Sequence, residues 1–231
     1  SKTFDNVSAS LGLFYKPADK QFVALALSRN GRAPTEFELF ADGPHPGTGG
    51  YEVGDADLKS EKVTSLEATY RYTGDRLRLE GHLWGAWYDG FIEEAPTGAV
   101  EDDLPVFQYF QTNAKFHGAE AEASYVAWQG GEQSLKLEGV YDWVRGSTDF
   151  GAPARIPPWA LTGRVIWSAP RLSVQTEVRR VASQNRTATF ELPTDGYTQV
   201  NAMVTFKPMA DSGLRLFVDG RNLTDETIRE H

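Results

Sequence analysis

Apolar and polar residues alternate with a period of two along almost the whole 231-residue chain, and this alternation limits the possible folds more than any other feature. In the first segment the apolar positions are every second residue, namely Val7, Ala9, Leu11, Leu13 and Tyr15. Successive side chains of a β-strand point to opposite faces, whereas an amphipathic helix needs a period of 3.6 residues. The sequence therefore predicts an all-β protein with no convincing helical segment.

The same alternation recurs in ten segments, which predicts ten antiparallel strands. The connections between them alternate in length. Short connections lie at 17–20, 74–75, 129–133, 169–171 and 208–213, and long ones at 32–60, 93–105, 149–158 and 184–196. All short turns would then lie at one end of the sheet and all long loops at the other, which is typical of an outer-membrane β-barrel.

Composition agrees with a barrel whose apolar side chains face lipid. Aromatic residues make up 12% of the chain although the mean hydropathy is only -0.43 and the net charge is -9. The acidic balance argues against a nucleic-acid partner and suits a cationic ligand. There is no cysteine, which excludes thiolate metal sites, and no apolar run approaches the ~18 residues of a membrane-spanning helix.

One face of the predicted strands is charged and the other is apolar, and two arrangements explain this. In a barrel, Leu25, Leu66, Leu137 and Val204 face the bilayer and the charged residues face a wet interior. In a soluble β-sandwich, the charged face is the outside and the apolar face is the core. The second arrangement would suit a carbohydrate-binding module whose sugar platform is formed by Trp84, Trp87, Trp128 and Trp143.

Four strings in this order and spacing resemble the carboxy-terminal barrel half of TonB-dependent outer-membrane receptors. They are Ser-Arg-Asn-Gly-Arg-Ala-Pro at 28–34, Asp-Ala-Asp-Leu-Lys-Ser-Glu at 55–61, Phe-His-Gly-Ala-Glu-Ala-Glu at 116–122 and Val-Asp-Gly-Arg-Asn-Leu-Thr-Asp-Glu at 218–226. The resemblance implies a 22-stranded barrel in the outer membrane, plugged by an amino-terminal domain and driven by a TonB-type coupling protein. Residues 1–231 would then be the carboxy-terminal part of that barrel, with the plug, the first barrel half and the last strand absent.

Within that superfamily, the segment from Pro34 through Gly-Pro-His45 to Asp55 most resembles the zinc-uptake receptors, some of which are linked to haem. The strings Tyr-Asp-Trp-Val-Arg-Gly at 141–146 and Arg-Ile-Pro-Pro at 155–158 agree with this. The resemblance implies zinc as the transported ligand, no intrinsic cofactor, and His45 as one zinc ligand. A haem or siderophore receptor of the same fold remains the alternative, and haem would favour apolar loop residues such as Phe37, Phe40 and Tyr51.

Imidazole and carboxylate groups hold zinc without thiolate. His45 is the main candidate ligand, and Glu52 and Asp55 are weaker ones, with Asp42 and Asp57 as further possibilities. Carboxylates in a loop are more often simply solvated, and a single loop histidine more often binds nothing. Four residues are predicted to line the barrel interior, and they could belong to the ion path or to an internal hydrogen-bond network: His82, Glu80, Glu120 and Glu122.

The remaining histidines and acidic residues carry weaker expectations. His117 precedes Gly118 and is expected to be structural, whereas His231 ends the sequence. The acidic residues Glu93, Glu94, Glu101, Asp102 and Asp103 either attract cations electrostatically or form a solvated loop. Standard catalytic motifs are missing, which predicts that the protein is not an enzyme.

Overall fold

The computed structural model describes residues 2–209 and 213–231 and contains one mainly antiparallel sheet. Ten strands follow one another through this sheet in chain order, which confirms the predicted number and direction of the main strands. They are β1 (Ala9–Tyr15), β2 (Gln21–Arg32), β5 (Glu61–Thr73), β6 (Leu77–Glu101), β7 (Leu104–Gly130), β8 (Gln133–Thr148), β9 (Ala160–Ser168), β10 (Leu172–Val181), β11 (Tyr197–Phe206) and β12 (Leu216–Gly220). Part of the expected turn at 208–213 lies outside the described residues.

The apolar face of the sheet is open rather than packed against a second layer. Leu25 is 47% exposed, Leu66 45%, and Leu137 and Val204 39% each. In a two-layer sandwich these side chains would form the core. The sandwich alternative is therefore wrong, and the exposed apolar face is the surface that a barrel of this type presents to lipid.

The opposite face carries a ladder of ion pairs across neighbouring strands. Arg71 pairs with Glu80 at 2.5 Å between β5 and β6, and Arg164 on β9 pairs with Glu177 on β10 at 2.5 Å. Arg164 also approaches Glu138 on β8 at 3.6 Å. These charges satisfy one another on the face that lines the interior of the barrel.

The predicted long connection at 93–105 is wrong, because β6 and β7 continue through it. The two strands are 25 and 27 residues long, more than twice the ~9–11 residues that cross a bilayer. They pair up to Glu101 and Leu104 and turn at Asp102 and Asp103, both of which have positive φ. We call residues 91–112 the β6–β7 extension; it lies beyond the membrane-spanning part and begins at a register shift after Tyr88.

The long connection at 32–60 is folded, and the expectation of no helix is wrong. It contains α1 (Glu36–Phe40), β3 (Asp42–His45) and β4 (Gly50–Val53). Thr35 and Glu38 form a reciprocal capping box at the start of α1, which satisfies two backbone N–H groups of so short a helix. No helix among the described residues is long and apolar enough to cross a membrane.

This folded loop crosses the β6–β7 extension and attaches to its far edge. β3 and β4 form an antiparallel hairpin, and β4 pairs in parallel with β7, with Glu52 opposite Phe107. Leu39 and Leu58 from the loop pack against Ile92 of the extension and are almost fully buried. The loop is thereby held against the β6–β7 extension by strand pairing and apolar packing.

Candidate functional site

Two ion pairs of the half-exposed Arg32 fix the base of the folded loop. Arg32, at the end of β2, contacts Glu38 of α1 at 2.9 Å and Glu61, at the start of β5, at 3.3 Å. The Glu61 side chain is only 9% exposed and also accepts a hydrogen bond from the backbone N–H of Ile92 at 3.0 Å. Glu61 therefore joins both ends of the loop to the extension.

Glu52 of β4 is the centre of the site. Its side chain is only 2% exposed, so the expectation that it is a solvated loop carboxylate is wrong. Thr48 donates a hydrogen bond to Oε1 at 2.8 Å, and the Tyr109 hydroxyl donates to Oε2 at 3.2 Å. A buried carboxylate needs such partners, because an unpaired buried charge is costly.

His45, at the end of β3, lies directly beside Glu52. Its Nδ1 is 3.1 Å from Glu52 Oε1 and 3.2 Å from Thr48 Oγ1, and its side chain is 45% exposed. The Phe37 ring packs on the imidazole with centroids 5.6 Å apart. Among the described residues Nε2 has no hydrogen-bond partner, so this nitrogen is available to a ligand.

Glu94 of the extension is a second carboxylate at this site. Burial raises its pKa, and the charge of Glu52 raises it further, whereas Arg155 from the 149–158 loop, 3.7 Å away, opposes the shift. Its Oε2 is buried and has no hydrogen-bond partner in the described structure. Tyr109 lies between the two carboxylates, and burial and both negative charges raise its pKa.

We expect Glu94→Gln to stabilise the extension at neutral and alkaline pH. The folded structure raises the pKa of Glu94 above its ordinary 4.5, so the folded protein holds this proton more tightly than the unfolded chain does. Below pH 4.5 the carboxyl group is protonated in both states, and no charge has to be buried. Stability falls as the pH rises through the folded pKa. Amide exchange of residues 91–96 should therefore slow several-fold in the variant at pH 8 and stay unchanged at pH 4. If residues 91–96 exchanged at the same rate in Glu94→Gln and in the unmodified protein at pH 8 as well as at pH 4, this prediction would be wrong.

The other loop carboxylates named from the sequence have structural partners and do not join His45. Asp55 Oδ1 accepts from the Asp57 N–H at 2.8 Å within a turn. Asp42 accepts from the Tyr51 hydroxyl at 2.9 Å, and this bond raises the pKa of Tyr51 to about 12. The described residues contain no group of three or more His, Cys, Asp or Glu side chains able to hold a metal ion. The structure thus brings together His45 and Glu52 but not Asp55.

The four residues assigned to the interior lie together on the polar face of β6 and β7. His82 Nε2 is 3.2 Å from Glu80 Oε1, and its Nδ1 is 3.1 Å from Thr69 Oγ1. In the strand register Glu120 is opposite His82, and Glu122 is opposite Glu80. Thr69, His82 and Glu80 therefore form a hydrogen-bonded network, and all four interior residues line a small cavity.

The two remaining histidines lie away from the site. The His117 ring packs edge-on against Trp143 on the apolar face, with centroids 5.3 Å apart. His231 is buried beside Glu191, with Nε2 3.5 Å from the carboxylate. Among the acidic residues, Glu93 accepts from the Ala154 N–H at 3.3 Å, so it anchors the 149–158 loop to the extension.

The protein-family model described as "TonB dependent receptor-like, beta-barrel" matches residues 1–223 of this chain. The chain belongs to this family. TonB-dependent receptors are transport receptors of the outer membrane of Gram-negative bacteria. The predicted fold class, an antiparallel β-barrel of this receptor type, is therefore confirmed.

Solved TonB-dependent receptors share this architecture. "Copper transporter OprC" is 22% identical with a TM-score of 0.82 over 97% of this chain and 35% of its own. The ferric enterobactin receptor PfeA is 19% identical with a TM-score of 0.73 over 95% and 35%. The siderophore receptor PirA from Pseudomonas aeruginosa is 16% identical with a TM-score of 0.68 over 95% and 39%. The present chain thus spans just over a third of these receptors, and identities this low show the fold alone.

Proposed function

We propose that this TonB-dependent receptor takes up zinc across the outer membrane and that the first contact with the ion is made at His45 and Glu52. The observation that supports this most is the 3.1 Å distance between His45 Nδ1 and Glu52 Oε1, because two ligand atoms at this separation can bind the same ion. Imidazole and carboxylate are usual zinc ligands. Asp55, which the sequence also nominated, does not belong to the proposed site, because its carboxylate stabilises a turn.

The donor set favours zinc over copper(I). Soft thioether and thiolate ligands select copper(I), whereas imidazole and carboxylate suit zinc. The chain has no cysteine and only two methionines, and Met203 lies on β11 and Met209 in the turn after it, both far in sequence from the folded loop. The likeness to a copper transporter therefore does not transfer its ligand to this chain.

A zinc site usually has four ligands. Glu94 is a candidate for a third from this chain, and the rest would come from parts of the receptor outside residues 1–231. We take these residues to be the carboxy-terminal part of a 22-stranded barrel with a plug, the remaining strands and a TonB-type coupling protein as partners. The ion would then pass the interior residues His82, Glu80, Glu120 and Glu122, with outer-membrane lipid on the apolar face.

Replacing His45 by alanine in the full-length receptor should weaken zinc binding on the order of 100-fold, because the imidazole that lies 3.1 Å from Glu52 is removed. Equilibrium dialysis with zinc measures this directly. His117→Ala is the matched control, since that histidine lies on the apolar face against Trp143. Unchanged zinc affinity in the His45 variant, or equal losses in both variants, would overturn the assignment.

A haem receptor is the second candidate, because aromatic surface lies beside the open imidazole. Phe37 and Phe40 are 46% and 55% exposed, and Phe37 packs on His45. Tyr51 is only 8% exposed and bonded to Asp42, so it does not offer an axial oxygen. Haem that displaces zinc from the receptor, with a Soret shift lost in His45→Ala, would favour this candidate over zinc.

A further inference from the structure

The charged residues on the apolar face are nearly all cations and lie at one end of the sheet. Following the strand registers below the Tyr88 bulge, side chains on the same face as Leu66 include five cations near the ends that join the long loops. They are Arg29, Lys62, Lys115, Arg145 and Arg180; the one anion among them is Asp89, opposite Lys62. For a chain of net charge -9, a basic outer rim is unexpected.

Two of these cations form a cluster with a histidine between tryptophans. Lys115 is opposite Trp87 on β6, and His117 is opposite Arg145 on β8. Directly opposed residues have Cβ atoms about 5 Å apart, and Lys115 and Arg145 are diagonal neighbours on the same face. Both are exposed, and the His117 ring rests on Trp143. We call Lys115, His117 and Arg145 the rim cluster.

A third cation reaches the rim cluster from the 184–196 loop. Arg186 donates a hydrogen bond to the carbonyl of Gly146, the residue after Arg145. Burial lowers the pKa of Arg186, and the nearby positive charge of Arg145 lowers it further. No salt bridge among residues 2–209 and 213–231 involves Lys115, Arg145 or Arg186. Three neighbouring cations without a counterion from the described residues form a site of positive charge that an external anion would stabilise.

The place of the rim cluster identifies the anion. Immediately below it on the same face are Leu83 and Ala119, which are opposite one another and belong to the lipid-facing band. Trp87 and Trp143 are at the level where aromatic residues of barrels meet the headgroups. We propose that Lys115, Arg145 and Arg186 bind the phosphate groups of an anionic lipid in the outer leaflet, with the two tryptophans against its apolar part.

Lys115→Gln/Arg145→Gln in the full-length receptor tests this. Each basic residue near a charged lipid surface contributes about fivefold to affinity, so the double variant should bind about 30-fold more weakly. The probe is lipid A carrying both phosphates, titrated into detergent-solubilised receptor and measured by native mass spectrometry. Dephosphorylated lipid A with the same acyl chains should bind the unmodified receptor at least as weakly as the phosphorylated form binds the variant, because the variant still has Arg186.

Lys16→Gln/Arg171→Gln is the matched control, because it removes the same two residue types from exposed positions at the short-turn end. It should retain full lipid A binding. Heat-modifiable migration of all three proteins in electrophoresis establishes that their barrels are folded. The proposal would be overturned if the two lipid forms bound equally or if both double variants lost the same affinity. It would also be overturned if free pyrophosphate competed as well as lipid A does.

Discussion

Replacing Glu52 by alanine should weaken zinc binding of the full-length receptor by at least about 100-fold and release the β3–β4 hairpin from β7. Loss of even an outer-shell partner typically costs 10–100-fold in metal affinity, and here a proposed ligand is lost. The substitution also leaves the Thr48 and Tyr109 hydroxyls without their acceptor in a buried site. Zinc dialysis and amide exchange of residues 42–53 measure the two effects.

Glu52→Gln separates the two effects. The amide oxygen still accepts a hydrogen bond from Thr48 or Tyr109, so exchange protection of the hairpin should stay close to that of the unmodified protein. The negative charge is lost, so zinc binding should fall almost as far as in Glu52→Ala. A glutamine variant that binds zinc normally would exclude Glu52 as a ligand and leave it a purely structural role.

Glu61→Ala should detach the whole folded loop from the extension. The buried N–H of Ile92 loses its acceptor, and Arg32 keeps only Glu38. An unsatisfied buried donor and a broken ion pair together cost about 2–3 kcal/mol here, since Arg32 is half exposed. Opening of residues 36–58 should therefore become about 30–150-fold more frequent, measured as faster amide exchange and protease cleavage.

Glu67→Ala is the control for this prediction. Glu67 is another β5 glutamate, but its side chain is 51% exposed and its contact with His82 is 3.4 Å long. Surface substitutions of this kind usually change stability by less than about 0.5 kcal/mol. If residues 36–58 were equally protected in Glu61→Ala and in the unmodified protein, the apolar packing of Leu39 and Leu58 would be sufficient to hold the loop.

The sequence predicted the membrane-spanning strands because a period of two is a local property, set by which face each side chain takes. It failed at 93–105 because the acidic residues there looked solvated. In the structure Glu93 and Glu94 have partners in the 149–158 loop, more than 50 residues away. The helix was missed for another reason: Thr35 and Glu38 have the spacing of a capping box, but α1 is too short to show a helical period.

The candidate site was only partly predictable. His45 and Glu52 were nominated by a family motif and by proximity in sequence, whereas Glu94 and Tyr109 were not connected with them. Glu94 and Tyr109 come close to Glu52 because β4 pairs in parallel with β7, and no local sequence pattern predicts this pairing. The pairing of β6 with β7 places Glu94 opposite Tyr109, and the pairing of β4 with β7 brings Tyr109 next to β4. Neither pairing could be read from the sequence.

The parallel pairing of β4 with β7 also sets an order of events in biogenesis. β4 is synthesised some fifty residues before the strand on which it rests, so residues 50–53 have no template until the extension exists. Pairings between distant segments form late, because chain closure must precede them. In a receptor caught midway through assembly, the membrane-spanning sheet would thus already exist, whereas the zinc site proposed at His45 and Glu52 would not yet be formed.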